Sequence, residues 1–186
     1  MASLPNSKIL TYEEWLRTPE VNRKEEVVNG EIRNMAAPSL AHRRIIDKLA
    51  YQIRRQVDEN EVDVASSAFD LVIRRQPLST RQPDLAVFQM SSMIERDGRA
   101  HSAPQLIVEV RSPANTHRER EEKLADYASL GVSEIWVWNP EDRSVEVLYL
   151  EAGQYRRHAC LSDGILIPKH FPTVQIQISE IWPPAR

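Results

Sequence analysis

The chain has 186 residues, 41% of them hydrophobic, and a formal net charge of −3, enough apolar material for a single domain over 1–186 but too little chain for two. No global basic field draws it to a polyanion, so any such contact has to come from a local patch. One cysteine, Cys160, excludes an internal disulfide, and without a roughly 18-residue apolar span or a signal-peptide core a soluble, cytoplasmic protein with no membrane contact is expected.

Thr11 can cap a short helix through Tyr12-Glu13-Glu14-Trp15-Leu16 that stops near Pro19. Strand-like segments, 24–28 and 31–35, on either side of Asn29-Gly30 predict a β-hairpin, since both residues tolerate the positive φ of a tight turn. Glu26 and Glu31 flank that turn and either could face a site, although hairpin carboxylates ordinarily meet solvent. Ser39 caps a helix predicted over 40–57, with Ile45, Ile46, Leu49, Ile53 and Val57 in a stripe at helical spacing. Arg43, Arg44, Lys48, Arg54 and Arg55 cover the rest, as a solvated face or as a surface for phosphates. His42 lies beside the stripe, where a histidine is usually a partly buried neighbour of the core.

Strands are expected at 62–65 and 69–73, the second containing Asp70, and Arg74, Arg75 and Arg81 surround the approach to Asp84 with positive charge. The run Pro83-Asp84-Leu85-Ala86-Val87-Phe88 is a strand entered through proline. The polar stretch 90–104 reads as a loop with a short helical piece, a flap over the site. Thr116-His117-Arg118-Glu119 is a capping box for a helix that ends at Gly131, and it carries Lys123 and Tyr127 on one face. Glu134-Ile135-Trp136-Val137-Trp138 is a third buried strand, Trp136 and Trp138 marking core or an interface. Segments 144–150 and 154–158 form a meander after it, and the tail through Ile165, Val174 and Trp182 is expected to pack the edge.

The chemistry concentrates at Leu106-Ile107-Val108-Glu109-Val110-Arg111. An unpaired carboxylate in so apolar a strand would cost several kcal/mol or more, roughly, so Glu109 needs a cation. Arg111, two residues on, projects to the same side. If the strands of Asp84 and Glu109 are neighbours, about 4.8 Å separates their backbones and both acids can reach one divalent ion. Mg²⁺ suits that pair, because it takes one or two protein carboxylates and completes its shell with water and phosphate.

Glu26…Asn29-Gly30-Glu31, Pro38-Ser39…His42, Arg81-Gln82-Pro83-Asp84, Glu109-Val110-Arg111-Ser112-Pro113, Lys123-Leu124…Tyr127…Gly131-Val132 and Asn139-Pro140 come in a telling order. In that order and spacing the chain resembles the Uma-type putative restriction endonucleases, once catalogued as a domain of unknown function. The resemblance implies the α/β, restriction-endonuclease-like fold of the PD-(D/E)xK nucleases, a mixed central β-sheet flanked by helices. It makes Pro83-Asp84 the "PD" and Glu109-Val110-Arg111 the "(D/E)xK", with arginine where lysine is usual. Lys123, from the following helix, would replace that lysine. Asp84, Glu109 and the Val110 carbonyl would hold Mg²⁺, or Mn²⁺, for DNA cleavage by a homodimer. Glu31 and His42 would be auxiliary, and Arg43, Arg44, Arg74 and Arg81 would contact nucleic acid.

Other readings stay open on the same residues. Arg111 in place of lysine fits a non-catalytic, DNA-binding or regulatory member of the fold, because arginine does not readily deprotonate to assist a water. A junction-specific nuclease would share the same core. A protein-interaction module with purely structural ion pairs is the alternative from another class.

Overall fold

A computed structural model of the chain describes residues 9–18, 24–66, 69–113 and 116–183. Helix α1 (Tyr12–Leu16) precedes the hairpin β1 (Glu25–Val28) and β2 (Glu31–Asn34), and helix α2 (Leu40–Arg54) follows. Next come β3 (Val62–Ser66), β4 (Leu71–Arg75), β5 (Leu78–Arg81), β6 (Leu85–Gln89), a 3₁₀ turn at Met90–Ser92, and the short β7 (Glu95–Arg96) and β8 (Arg99–Ala100). The second half holds β9 (Leu106–Val110), helix α3 (His117–Leu130), β10 (Glu134–Asn139), β11 (Ser144–Glu151) and β12 (Gln154–Leu161). It closes with β13 (Ile165–Leu166), β14 (Ile176–Gln177) and the single-turn α4 (Ile178–Ile181).

Local chemistry accounts for the element ends. Thr11 and Thr116 each close a reciprocal capping box, with Glu14 and Glu119, which satisfies backbone donors that a helix start leaves open. The Ser39 hydroxyl accepts from the His42 N–H. Gly131 ends α3 at φ 91°, a left-handed conformation that glycine adopts without strain. At the hairpin, Asn29 and Gly30 both take positive φ. A Cβ on Gly30 would fall 2.2 Å from Ile9 Cγ2, so close approach of the leading segment also demands glycine there.

The central sheet has the order β12-β11-β10-β9-β6-β3. Only β9 and β10 run parallel, joined by α3, because a parallel pair needs a long crossover. Strand periodicity splits the core into two faces. Val108, Val110, Trp136, Trp138, Leu85 and Val87 meet Ile45, Leu49 and Ile53 of α2, while Ile107, Ile135, Val137, Ala86 and Phe88 meet Tyr127 of α3. The result is the mixed sheet flanked by helices that the sequence predicts. Among the described residues no helix is long and apolar enough to cross a membrane.

Three expectations need correction. The 90–104 stretch is no flap: its hairpin β7–β8 joins β4. The Tyr12 hydroxyl holds it, donating to Asp97 Oδ2 at 3.0 Å, while Arg99 stacks over Trp15. Helix α2 ends at Arg54, with Arg55 as its C-cap, a turn short of Val57. The tail enters the core instead of packing an edge; Val174, Ile176, Ile178 and Ile181 are buried, and Trp182 lies 4.9 Å from Trp138, centroid to centroid.

Candidate active site

Strands β6 and β9 pair antiparallel, with Leu85 opposite Val108 and Ala86 opposite Ile107. One further step in that register sets Asp84 opposite Glu109, and directly opposed side chains share a face with Cβ atoms about 4.5–5.5 Å apart. Both carboxylates line one cavity, together with Lys24, Glu26, His42 and Lys123. Two acids on adjoining strands are thereby delivered to one space by the alternation of strand side chains.

Each acid is held by donors from several elements. Asp84 accepts from Lys24 Nζ at 3.0 Å, from the Val110 N–H at 2.9 Å, and lies 3.1 Å from His42 Nε2. Burial pushes its pKa up, but the His42 contact and the Lys24 and Lys123 ammoniums outweigh burial and hold it well below the usual carboxylate range. Glu109 meets Lys123 Nζ at 2.9 Å and accepts from the Tyr127 hydroxyl at 2.6 Å. There the balance reverses: burial, aided by the Asp84 charge and opposed by Lys123, raises the Glu109 pKa. The same burial would lower the pKa of Lys123, yet Glu109, Glu26 and Asp84 together hold it above its ordinary value. Two neighbouring acids driven in opposite directions are a common mark of a reactive centre.

Beneath the pair lies a buried ion network. Glu26 is 1% exposed and Arg81 3%; Arg81 Nη1 donates to Glu26 Oε2 and its Nε to Asp126 Oδ2, both at 2.8 Å. Glu26 also accepts from the Gln82 N–H at 3.0 Å and stands 3.4 Å from Lys123 Nζ. The network therefore fixes Lys123 from below, through a strand of the hairpin.

The sequence-derived candidates separate accordingly. Asp84, Glu109, Val110, His42, Lys123 and Arg111 line the cavity, with Arg111 donating to Glu146 Oε2 at 3.2 Å. Glu31 is exposed and lines no part of it; on this hairpin the inward acid is Glu26, opposite Arg33. Arg81 is unavailable to nucleic acid, because it is buried between Glu26 and Asp126. Arg74, half-exposed, binds Asp126 and Asn29, whereas Arg43 and Arg44 are exposed on α2, outside the cavity. Asp70 accepts from Gln82 away from the site. Sequence reasoning missed Lys24 as a partner of Asp84 and the burial of Glu26. The one signal for Glu26 was its place two residues before Val28, on the same strand face.

Asp84 and Glu109 offer the hard carboxylate oxygens that a cation such as Mg²⁺ takes, and the Val110 backbone adjoins them. Among the described residues no group of three or more His, Cys, Asp or Glu is arranged to hold a metal. A cation here would draw its other ligands from backbone, water or substrate, as Mg²⁺ commonly does.

Comparison with known proteins bears on the fold and the family. The chain is similar in structure to the crystal structure of a putative nuclease belonging to DUF820 from Anabaena variabilis. Identity is 18% and the TM-score 0.74, covering 92% of this chain and 97% of that one, a likeness that shows a shared fold. No curated protein matches the chain. The sequence model of the Uma2 family, described as putative restriction endonuclease, matches residues 11–179. The chain belongs to the Uma2 family of putative restriction endonucleases.

Proposed function

We propose that the chain is a metal-dependent endonuclease that hydrolyses phosphodiester bonds of DNA. The observation that carries this reading is that Asp84, just before β6, and Glu109 of the adjoining β9 line one cavity, with the Lys123 ammonium 2.9 Å from Glu109. Asp84, Glu109 and the Val110 carbonyl would hold Mg²⁺, or Mn²⁺ in its place. When bound, the ion supplies a Lewis acid at the scissile phosphate and a more acidic water.

The chain's own groups do the remaining work. Lys24 and His42 keep Asp84 ionised, the form that a cation requires. Tyr127 fixes the rotation of the Glu109 carboxylate. Lys123, 2.9 Å from Glu109, would orient the attacking water and stabilise charge gathering on the phosphate oxygens. Arg111 cannot take the water's proton, since guanidinium stays charged. Arg43 and Arg44 on α2 would hold the backbone by salt-sensitive contacts that carry no sequence information. By analogy with restriction-type nucleases that pair two centres to cut both strands, the chain would act as a homodimer.

Purified protein incubated with supercoiled plasmid in Mg²⁺ or Mn²⁺ should convert it to nicked and linear forms, and Asp84→Ala should not. Binding without cutting in either metal would replace this proposal with a non-catalytic DNA-binding role. Cutting of a four-way junction but not of plasmid would make the enzyme structure-specific.

A further inference from the structure

One register row crosses the α3 face of the sheet: Glu109 lies opposite Val137, Val137 opposite Glu146, and Glu146 opposite Cys160. Glu146 therefore stands two strands from Glu109, about 10 Å away at ~4.8 Å per strand. Three guanidiniums converge on it. Arg111 Nη2 is 3.2 Å from Oε2, Arg120 Nη2 donates to the same oxygen, and Arg157 Nη1 is 3.6 Å from Oε1. They come from the end of β9, the first turns of α3 and the edge strand β12.

A structural ion pair needs one guanidinium, and this carboxylate has three, which leaves an excess of positive charge. Arg111 and Arg120 also line the cavity that holds Asp84 and Glu109. Arg120 Nε is buried without a hydrogen-bond partner among the described residues, a state that costs free energy until an acceptor arrives. Arg157, 64% exposed, reaches in from solvent. Planar guanidiniums with surplus charge and an unmet donor have the make-up of an oxyanion site.

We propose that Arg111, Arg120 and Arg157 form a second anion site, which takes a phosphate of the nucleic-acid strand near the one that reacts at Asp84 and Glu109. Glu146 holds the three guanidiniums in place until that phosphate displaces it. The identity of the strand rests on the nuclease reading, but the anion binding itself needs no catalysis. On this assignment the arginine at position 111 serves substrate placement, and the amine that strand β9 lacks comes from Lys123.

The test is fluorescence anisotropy of labelled duplex oligonucleotides, with and without a 5′-phosphate, in EDTA and between about 50 and 200 mM salt. Arg120→Gln and Arg157→Gln should each weaken binding and shrink the slope of log K against log salt by about 0.9. Glu146→Gln, which removes the competing carboxylate, should tighten binding at low salt. Arg96→Gln, on the β7–β8 hairpin away from the cavity, gives the background for losing one surface charge. Loss confined to the 5′-phosphorylated duplex in Arg157→Gln places a terminal monoester at the site; equal loss on both places an internal diester there.

Slopes for Arg120→Gln and Arg157→Gln equal to that of Arg96→Gln would overturn the proposal. So would weaker binding by a Glu146→Gln protein that melts at the wild-type temperature, or no binding by the wild type. Because binding is read without metal and cleavage is read on plasmid, the two proposals can fail separately. Since Arg157 is mostly exposed, its replacement leaves the fold intact and keeps the test decisive.

Discussion

Replacing Lys123 by methionine keeps the alkyl stem and removes the ammonium alone. Glu109 then loses its contact at 2.9 Å and keeps only the Tyr127 hydroxyl, while Glu26 loses a contact at 3.4 Å but retains Arg81 and the Gln82 N–H. Both members of the Lys123–Glu109 pair are partly screened by the open cavity, with side chains 16% and 18% exposed. The full loss of roughly 3–5 kcal/mol for breaking a buried pair is therefore an upper limit. Glu109, its pKa already raised by burial, can also escape by binding a proton, so a stability loss of about 1–3 kcal/mol is expected. Activity should fall much further, by roughly 10²–10³, the usual effect of removing one preorganised donor to transition-state charge. With Glu109 easier to protonate, residual cleavage should climb as pH rises. The assay is initial nicking rate of supercoiled plasmid across pH, with urea melts on the same samples. Cleavage by Lys123→Met within threefold of wild type would refute the assignment of the missing lysine to α3.

Asp84→Asn should abolish cleavage and destabilise the fold. The folded-state pKa of Asp84 is depressed, so its contribution is present above an ordinary carboxylate pKa near 4 and is lost as pH falls through the folded value. Urea melts should thus show the gap between wild type and Asp84→Asn narrowing on acidification, and a constant gap would sink that account. Arg81→Met strands Glu26 and Asp126 without their shared cation and should cost about 3–5 kcal/mol; a loss under about 1 kcal/mol by chemical denaturation would remove the network's structural role. Mg²⁺ at a hundredfold over its dissociation constant should stabilise wild type by about 2.7 kcal/mol. Thermal melts of Asp84→Ala should show no such shift, and an unresponsive wild type at millimolar Mg²⁺ would count against the metal proposal.

What could be read from the chain divides along physical lines. The Asn29-Gly30 turn, the Thr116 box, the Gly131 stop and the shared face of Lys123 and Tyr127 follow from local rules of φ, capping and helical period, and the structure has them all. Asp84 and Glu109 were legible because each interrupts an apolar strand at its mouth or end, where only a site or a partner justifies a charge. Partnerships between distant segments were not legible. Nothing near Lys24 indicates that it meets Asp84, and nothing near Arg81 indicates that Glu26 and Asp126 enclose it. Arg81 reads as one more cation of an exposed basic approach, but β5 packs against the hairpin and buries all four of its residues. Glu26 shares a strand face with Val28, which pairs with Glu31, so both acids lie on one face of the hairpin and packing against β5 decides that Glu26 alone is buried.

The division of labour between sheet and helix has a consequence for how such proteins change over time. On the proposed reading the acids come from the ends of β6 and β9 and the amine from α3, which would release the residue two places after Glu109 from supplying that amine. That position becomes free to drift toward whatever ligand the neighbouring arginines favour. A search that demands acid, any residue and lysine on one strand would pass over the Glu109 stretch, which Arg111 closes. One that allows the amine to arrive from the next helix would find it.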